Sequence, residues 1–130
     1  MAGHRLSTGR IEEVVAEHSA IAECAVVGIA DAEKGQVPVG LLLIKDGVNL
    51  DPKTLQAELV QAVRNAVGPI ANFKRALVVA RLPKTRSGKI LRQVIRSMID
   101  GEPYIVPSTI DDPAIVDELR ETLSSQGWIK

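Results

Sequence analysis

The sequence predicts an α+β domain in which a small three-stranded sheet, an antiparallel hairpin followed by a third strand, packs against helices. Three observations lead to this prediction. Two aliphatic segments, 24–30 and 39–45, are separated by a short polar connection, so they should pair antiparallel. Other segments repeat apolar residues at intervals of three and four between proline and glycine boundaries. The length of 130 residues is that of a single domain.

The first predicted helix begins at Ser7 or Thr8, because either hydroxyl group can accept a hydrogen bond from a free amide of the first turn. Its apolar face consists of Ile11, Val14 and Val15. The hairpin strands at 24–30 and 39–45 follow, joined by a polar connection at 31–36 and ended by a turn at Asp46-Gly47. Cys24 has apolar neighbours and is expected to be a buried core residue.

The second predicted helix has clear boundaries. Asp51 can cap it, Pro52 suits its first position, and Gly68-Pro69 ends it. Its apolar face consists of Leu55, Leu59, Val63 and Val67. A third strand is predicted at 76–80, directly before a loop at 83–89.

Two further helices are predicted after this loop. One ends at Gly101, and its apolar face consists of Ile90, Leu91, Val94, Ile95 and Met98. The last helix starts at Asp112-Pro113, and its buried side consists of Ile115, Val116, Leu119 and Leu123. We therefore interpret 1–130 as one domain in which 102–130 is a C-terminal extension with a short helix.

The zero net charge conceals a strong charge asymmetry. Residues 59–99 contain nine basic residues and no acidic one, whereas the other 89 residues carry 16 acids and 7 bases. Such a segment should face an anionic partner. One alternative is a module that binds nucleic acid through the stretch from Arg64 to Arg96, with steep salt dependence. Only three aromatic residues are present, which disfavours that alternative because base stacking needs aromatic surfaces. A generic solvated helix face is the other alternative.

Composition also disfavours metal-binding, membrane-spanning and secreted proteins. With Cys24 as the single cysteine and only two histidines, His4 and His18, no recognisable zinc or iron spacing can be assembled, and no metal site is predicted. No apolar run approaches the length that crosses a bilayer, and the N-terminus lacks the organisation of a signal peptide. We expect an intracellular protein without a membrane partner.

The most informative motif is PKTRSGK at 83–89, where a Ser-Gly turn presents Lys89. A phosphate-binding P-loop would need glycine where Pro83 stands, and serine or threonine where Ile90 follows the lysine. Neither requirement is met. A Walker-type phosphate cradle is therefore disfavoured, and Lys89 is left as a lysine aimed by its backbone toward a phosphate or a carboxylate.

The PKTRSGK motif resembles the lysine motif of AMP-forming acyl-CoA synthetases in the adenylate-forming enzyme group, with short-chain acetyl-CoA and propionyl-CoA synthetases most similar. Three other stretches fit in order and spacing: Gly3-His4-Arg5, the strand and turn from Ala25 to Gln36, and Val63-Arg64 with Gly68-Pro69. The match covers nearly the whole chain. Two stretches, GEPY at 101–104 and STIDDP at 108–113, resemble the propionyl type most.

The resemblance implies that the chain is a swivelling C-terminal lid, which closes over a large N-terminal adenylation domain. In the family that domain precedes the stretch matching Gly3-His4-Arg5, and in this sequence Met1 stands in its place. It implies that Lys89 serves acyl-AMP formation, and that Gly3, His4 and Arg5 serve the CoA step with Arg64. Arg86 is a further candidate for binding a substrate. ATP, CoA and a short-chain carboxylate would be substrates of the full enzyme, Mg²⁺ would bind the absent domain, and this chain alone would bind none of them tightly and be inactive.

The resemblance also implies regulation through the same lysine. Lys89 would be reversibly acylated by a protein acetyltransferase and restored by a sirtuin-type deacylase, because acylation removes the charge that the chemistry needs. The expected location is the cytoplasm, or the mitochondrial matrix if the source is eukaryotic. No nucleic-acid partner is expected on this reading.

Overall fold

The computed structural model describes residues 8–33 and 35–129. By its internal contacts the chain divides after Val78 into two compact units. The first unit contains helix α1, a three-stranded sheet, helix α2 and a short 3₁₀ helix. The second unit contains helices α3 and α4 and the loop at 83–89, which we call the lysine loop. The α+β class and the three-stranded sheet were therefore predicted correctly, whereas the assignment of 1–130 to a single domain stays a prediction.

The sheet has the order β1-β2-β3. Strands β1 (Ile21–Asp31) and β2 (Gly35–Ile44) form the predicted antiparallel hairpin, in which Val27 lies opposite Val39. Strand β3 (Arg75–Val78) pairs with β2 in parallel. The strand bounds differ from the predicted ones. Both hairpin strands are longer than predicted and include part of the connection expected at 31–36. Strand β3 begins and ends earlier than predicted.

Two helices pack with the sheet around an aliphatic core. Helix α1 (Thr8–Ala16) and helix α2 (Pro52–Ala66) bury the predicted faces. The shared core consists of Ile11, Val14, Val15, Ala20, Ile21, Cys24, Val26, Leu42, Leu55, Leu59, Val63, Ala71 and Phe73. Cys24 is thus the buried core residue that the sequence predicted.

Both edge strands of the sheet use a helix side chain to satisfy a backbone amide. The amide of Val26 on β1 donates to Glu12 Oε1 over 2.9 Å, and the amide of Ala76 on β3 donates to Gln56 Oε1 over 2.8 Å. An unpaired amide at a covered edge would cost free energy comparable to a lost hydrogen bond. The two helices therefore contribute polar contacts to the sheet in addition to their apolar faces.

The helix boundaries show which sequence signals were decisive. Asp51 caps α2 as predicted, because its carboxylate accepts a hydrogen bond from the amide of Thr54. The 3₁₀ helix Pro69–Ala71 follows at the predicted Gly68-Pro69 end and was not predicted. Val67 lies just beyond the last turn of α2 as its C-cap, but it still extends the predicted apolar face, because it is partly buried and packs against the core.

Helix α3 (Arg92–Asp100) is shorter at its start than predicted. Ile90 and Leu91 were expected on its apolar face, but Ile90 forms an isolated antiparallel bridge with Lys84. The amide of Leu91 donates to the carbonyl of Pro83 over 2.9 Å. These contacts hold both residues beside the loop and outside the helix. The helix ends where predicted, at Gly101, which adopts the left-handed conformation with φ of 71°.

Helix α4 (Ala114–Ser125) begins one residue after the predicted Asp112-Pro113 start. Asp112 still satisfies its first turn, because Asp112 Oδ1 accepts a hydrogen bond from the amide of Ala114 over 3.0 Å. Its predicted apolar residues Ile115, Val116, Leu119 and Leu123 are all buried. In the described part of the chain, no helix is long and apolar enough to cross a bilayer.

Candidate functional site

The lysine loop is a closed turn held by its own backbone and hydroxyl groups. The amide of Gly88 donates to the carbonyl of Thr85 over 2.8 Å, and the amide of Thr85 donates to the carbonyl of Lys89 over 2.9 Å. The hydroxyl of Thr85 lies 2.9 Å from that of Ser87 and accepts a hydrogen bond from the amide of Lys89 over 3.1 Å. The small residues of the motif thus fix the backbone on both sides of the turn.

Gly88 has a conformation that other residues rarely adopt. Its φ is +94°, and a Cβ placed there would have no atom within 4 Å. The requirement for glycine therefore comes from the backbone and from no steric neighbour. The positive φ is what turns the chain so that the backbone of Lys89 can return to Thr85.

A distant segment of the chain runs beside the loop. The amide of Arg86 donates to the carbonyl of Thr109 over 2.9 Å, and the amide of Asp111 donates to the carbonyl of Lys84 over 2.8 Å. Between these bonds, Thr85 and Ile110 form an isolated antiparallel bridge. We call residues 108–112 the strap. It gives the loop a strand-like partner on the side opposite its own turn.

Arg86, predicted as a substrate-binding residue, is partly engaged by the strap. Its Nη2 donates to the carbonyl of Ser108 over 2.8 Å, although the residue stays exposed. Its amide is also bonded to the strap, so both ends of Arg86 connect the loop to residues 108–109. The contacts in hand give Arg86 a structural role, and its binding role stays a prediction.

Arg81 joins the beginning of the loop to the end of the strap and to α4. Its Nη1 donates to Asp112 Oδ2 over 2.9 Å, and its Nε donates to Glu118 Oε1 over 3.2 Å. Its Nη2 also forms an ion pair with Glu118 Oε2, which makes the Glu118 contact bidentate. The guanidinium fork therefore contacts two carboxylates at once.

We call Arg81, Asp112 and Glu118 the clamp, and its contacts shift the pKa values of Arg81 and Asp112. The hydrogen bonds with Glu118 and then Asp112 raise the pKa of Arg81. The hydrogen bond from Arg81, followed by that from the amide of Ala114, lowers the pKa of Asp112 below its usual value. Both pKa shifts favour the charged forms of Arg81 and Asp112.

Lys89 contrasts with Arg81. It is exposed, and its ammonium group makes no hydrogen bond or ion pair with any residue of 8–33 and 35–129. Its backbone is fixed by the turn while its side chain is uncommitted. An ammonium group on a rigid backbone can stabilise a developing negative charge without first breaking an internal contact. This arrangement is what an electrostatic catalytic group needs.

Arg64 belongs to the first compact unit, on the last turn of α2. It is exposed and lines a small pocket of about 90 Å³ together with Lys74, Asn72 and Gly68. Most of the lining is apolar, but its two cations, Arg64 and Lys74, suit an anionic group. Lys89 and Arg86 lie together in the second unit.

Three predicted site residues, Gly3, His4 and Arg5, lie outside the described residues, so their roles stay predictions. Across 8–33 and 35–129, no group of three histidine, cysteine or carboxylate side chains is placed to hold a metal ion. The expected Mg²⁺ site was assigned to another domain, and its location likewise stays a prediction.

Sequence reasoning missed the residues that support the loop. Ser108 and Thr109 contact the loop, and Asp112 and Glu118 contact Arg81 just before it, through pairings across 22 to 37 positions of sequence. Asp112 was interpreted only as a helix cap and as part of the STIDDP stretch. A local motif carries no signal for such contacts. The one available hint was Arg81, a basic residue directly before the motif and far from any acid in sequence.

Comparisons with known proteins identify the class. The family described as AMP-binding enzyme C-terminal domain matches residues 10–89. The second unit's lysine loop, up to Lys89 itself, falls inside this match, whereas the strap and α4 fall outside it. The chain therefore belongs to the AMP-binding enzyme C-terminal domain family, as the resemblance implied.

Individual relatives are similar over nearly the whole chain. An uncharacterized protein of Pseudomonas aeruginosa is 56% identical over 123 residues, which cover 95% of this chain and 20% of that protein. A mitochondrial short-chain acyl-CoA synthetase family member of Dictyostelium discoideum is 48% identical over 119 residues, which cover 92% of this chain and 17% of that protein. The chain spans about a fifth of the length of these relatives.

A solved structure gives the same classification. The crystal structure of an acyl-CoA synthetase from Brucella canis matches with a TM-score of 0.66 and 32% identity over 73% of this chain and 17% of that one. The fold predicted from the sequence is thus that of the C-terminal region of adenylate-forming enzymes, and the structural neighbour is one of them.

Proposed function

We propose that this chain works as the mobile C-terminal domain of an AMP-forming short-chain acyl-CoA synthetase. The enzyme would join a short-chain acid, propionate or acetate, to CoA with cleavage of ATP to AMP and pyrophosphate. The proposal is supported by the family membership and by the relatives named as short-chain acyl-CoA synthetases. The observation that carries it is the exposed, uncommitted ammonium group of Lys89 on a fixed turn.

The first half-reaction would use Lys89. A carboxylate oxygen attacks the α-phosphorus of ATP, the bond to the leaving pyrophosphate breaks, and acyl-AMP forms. Negative charge accumulates on the oxygens around phosphorus as the new bond forms. The ammonium group of Lys89 would orient the carboxylate and stabilise that charge, without itself forming a covalent bond.

The second half-reaction would use another set of residues. The sulfur of CoA attacks the acyl carbon, AMP leaves, and the thiol proton passes to solvent. We assign Gly3, His4 and Arg5 to the CoA path and Arg64 to its phosphate groups. The exposed position of Arg64, beside Lys74 on a small pocket, supports an anion-binding role.

The test is a Lys89→Gln substitution in the complete synthetase that carries this domain, with each half-reaction measured separately. Adenylation is followed by exchange of labelled pyrophosphate into ATP, and thioester formation by supplying acyl-AMP and CoA. We expect adenylation to fall by about 10²–10³-fold, the usual cost of one preorganised charge, with thioester formation nearly unchanged. Arg64→Gln should show the opposite pattern.

The matched control is Lys53→Gln, which removes an exposed lysine from the first turn of α2. It should leave both rates unchanged. Equal loss of both half-reactions in Lys89→Gln, or no loss at all, would contradict the assignment of Lys89 to adenylation. The isolated 130-residue chain should form no acyl-CoA, since the acyl and ATP sites are assigned to another domain.

We further propose that a protein acetyltransferase acylates Lys89 and that a sirtuin-type deacylase restores it. Exposure of Lys89 on a turn supports access by a modifying enzyme. Neutralising the ammonium group would remove its electrostatic contribution. The cytoplasm or the mitochondrial matrix is the proposed location, and the Dictyostelium relative is named as mitochondrial.

A further inference from the structure

We propose that Arg81 is a positioning residue that sets the geometry of the lysine loop through the strap. It lies outside the PKTRSGK motif, and its two carboxylate partners belong to the part of the chain beyond the family match. The inference rests on the proposed function of Lys89. It adds a role for residues 108–118 in the adenylation half-reaction.

The geometry connects Arg81 to Lys89 in short steps. Arg81 holds Asp112, the last residue of the strap, and Glu118 on α4. The strap in turn is bonded to the backbone of Lys84 and Arg86. Thr85, which pairs with strap residue Ile110, accepts the amide hydrogen bond of Lys89. A displaced strap would therefore release the outer side of the turn that presents Lys89.

The clamp is too exposed for a mainly stabilising role. The side chains of Arg81, Asp112 and Glu118 have relative exposures of 42%, 46% and 47%. Ion pairs at such exposure contribute little to the free energy of unfolding. The bidentate contact with Glu118 does, however, fix direction as well as distance. Its effect should therefore appear in the placement of the loop more than in stability.

Placement matters because the proposed chemistry is electrostatic. The benefit of a preorganised charge depends on the distance between the ammonium group and the oxygens that gain charge. Thioester formation, in which Lys89 has no assigned role, should not depend on the same placement. A selective effect on one half-reaction thus distinguishes a positioning role from a general structural one.

The experiment uses neighbouring substitutions on one helix in the complete synthetase. Glu118→Gln removes one carboxylate of the clamp. Asp117→Asn removes the adjacent carboxylate, which pairs with Arg120 and has no contact with Arg81. Both are acid-to-amide changes at exposed sites of α4. The pair therefore separates loss of the clamp from loss of a surface charge.

We expect Glu118→Gln to lower the kcat of adenylation roughly three- to tenfold with little change in KM for ATP or the acid, and to leave thioester formation unchanged. Asp117→Asn should change neither. Amide hydrogen exchange of the 84–91 peptide should rise in Glu118→Gln alone. Arg81→Lys keeps the positive charge but not the bidentate guanidinium geometry. Its adenylation kcat should therefore lie between those of the unsubstituted enzyme and Glu118→Gln.

Two outcomes would overturn the positioning role. One is the same adenylation kcat in Glu118→Gln and Asp117→Asn. The other is a parallel loss of both half-reactions with a lower melting temperature. The adenylation rate of Lys89→Gln, measured in the same experiment, separates the proposed function of Lys89 from the positioning role of Arg81. An undiminished adenylation rate there overturns the proposed function together with the positioning role. A selective loss there, without one in Glu118→Gln, overturns the positioning role alone.

Discussion

Replacing Gly88 with alanine tests whether the lysine turn is set by backbone conformation. The Cβ of alanine would meet no atom within 4 Å, so no steric clash contributes. The whole cost arises from φ of +94°, a region in which side chains other than glycine are strained by about 1–3 kcal/mol. We therefore expect Gly88→Ala to lower the free energy of unfolding of the second unit by that amount.

The assay can be confined to the second unit because Trp128, the single tryptophan of the sequence, lies within it. Urea unfolding followed by tryptophan fluorescence gives the free energy by linear extrapolation. Gly9→Ala is the matched control. Its Cβ also meets no atom within 4 Å, but Gly9 lies in α1 with a helical backbone. Followed by circular dichroism, that change should be neutral or stabilising by up to about 1 kcal/mol.

A loss in Gly88→Ala smaller than about 0.5 kcal/mol would refute the reasoning, because that is the range of an ordinary surface substitution. Gly88→Asn adds a further check. Asparagine tolerates positive φ better than alanine, so it should recover part of the loss. If asparagine were as destabilising as alanine, strain at positive φ would not explain the requirement for glycine.

Two further predictions concern hydrogen bonds elsewhere in the chain. Gln56→Leu should lower the free energy of unfolding by about 1–3 kcal/mol, because it leaves the amide of Ala76 without its acceptor. Gln61→Leu, at an exposed position on the same helix, should cost less than half as much in the same urea titration, and equal costs would contradict the edge-strand explanation. The lowered pKa of Asp112 means that the unfolded chain takes up this proton first as pH falls. The stabilisation should therefore be complete above the usual carboxyl pKa of 3.8 and be lost as pH falls below it. Because the pair is exposed, Asp112→Asn should flatten the pH dependence of stability only slightly in that range, and a steeper acid-unfolding curve in Asp112→Asn would contradict the Arg81 contact.

Local signals predicted the helix ends because the same residues satisfy the terminal backbone groups in the structure. Asp51 with Pro52 begins α2, and Gly101 ends α3, at the expected positions. In each case the explanation needs only residues within one helical turn. The hairpin pairing was likewise predictable from two short aliphatic segments joined by a polar turn.

The start of α3 shows where local reasoning fails. Ile90 continues the apolar spacing of that helix, and periodicity alone places it on the buried face. A cross-loop bridge to Lys84 competes with the helical conformation and prevails. The strap was unpredictable for the same reason. Its register against Thr85 is set by contacts more than twenty residues away, and one sequence contains no measure of such pairing.

The structure shows that the cations of the basic segment 59–99 differ in their contacts. Arg81 is held by two carboxylates, and Arg86 donates to a backbone carbonyl of the strap. These two cations build the support of the loop, whereas the ammonium group of Lys89 makes no polar contact with the described residues. Such an ammonium group can bind an external group, or be neutralised by acylation, without altering the contacts that shape the turn. The separation of supporting cations from a presented one therefore explains how a single loop can be both rigid in its backbone and chemically available at its tip.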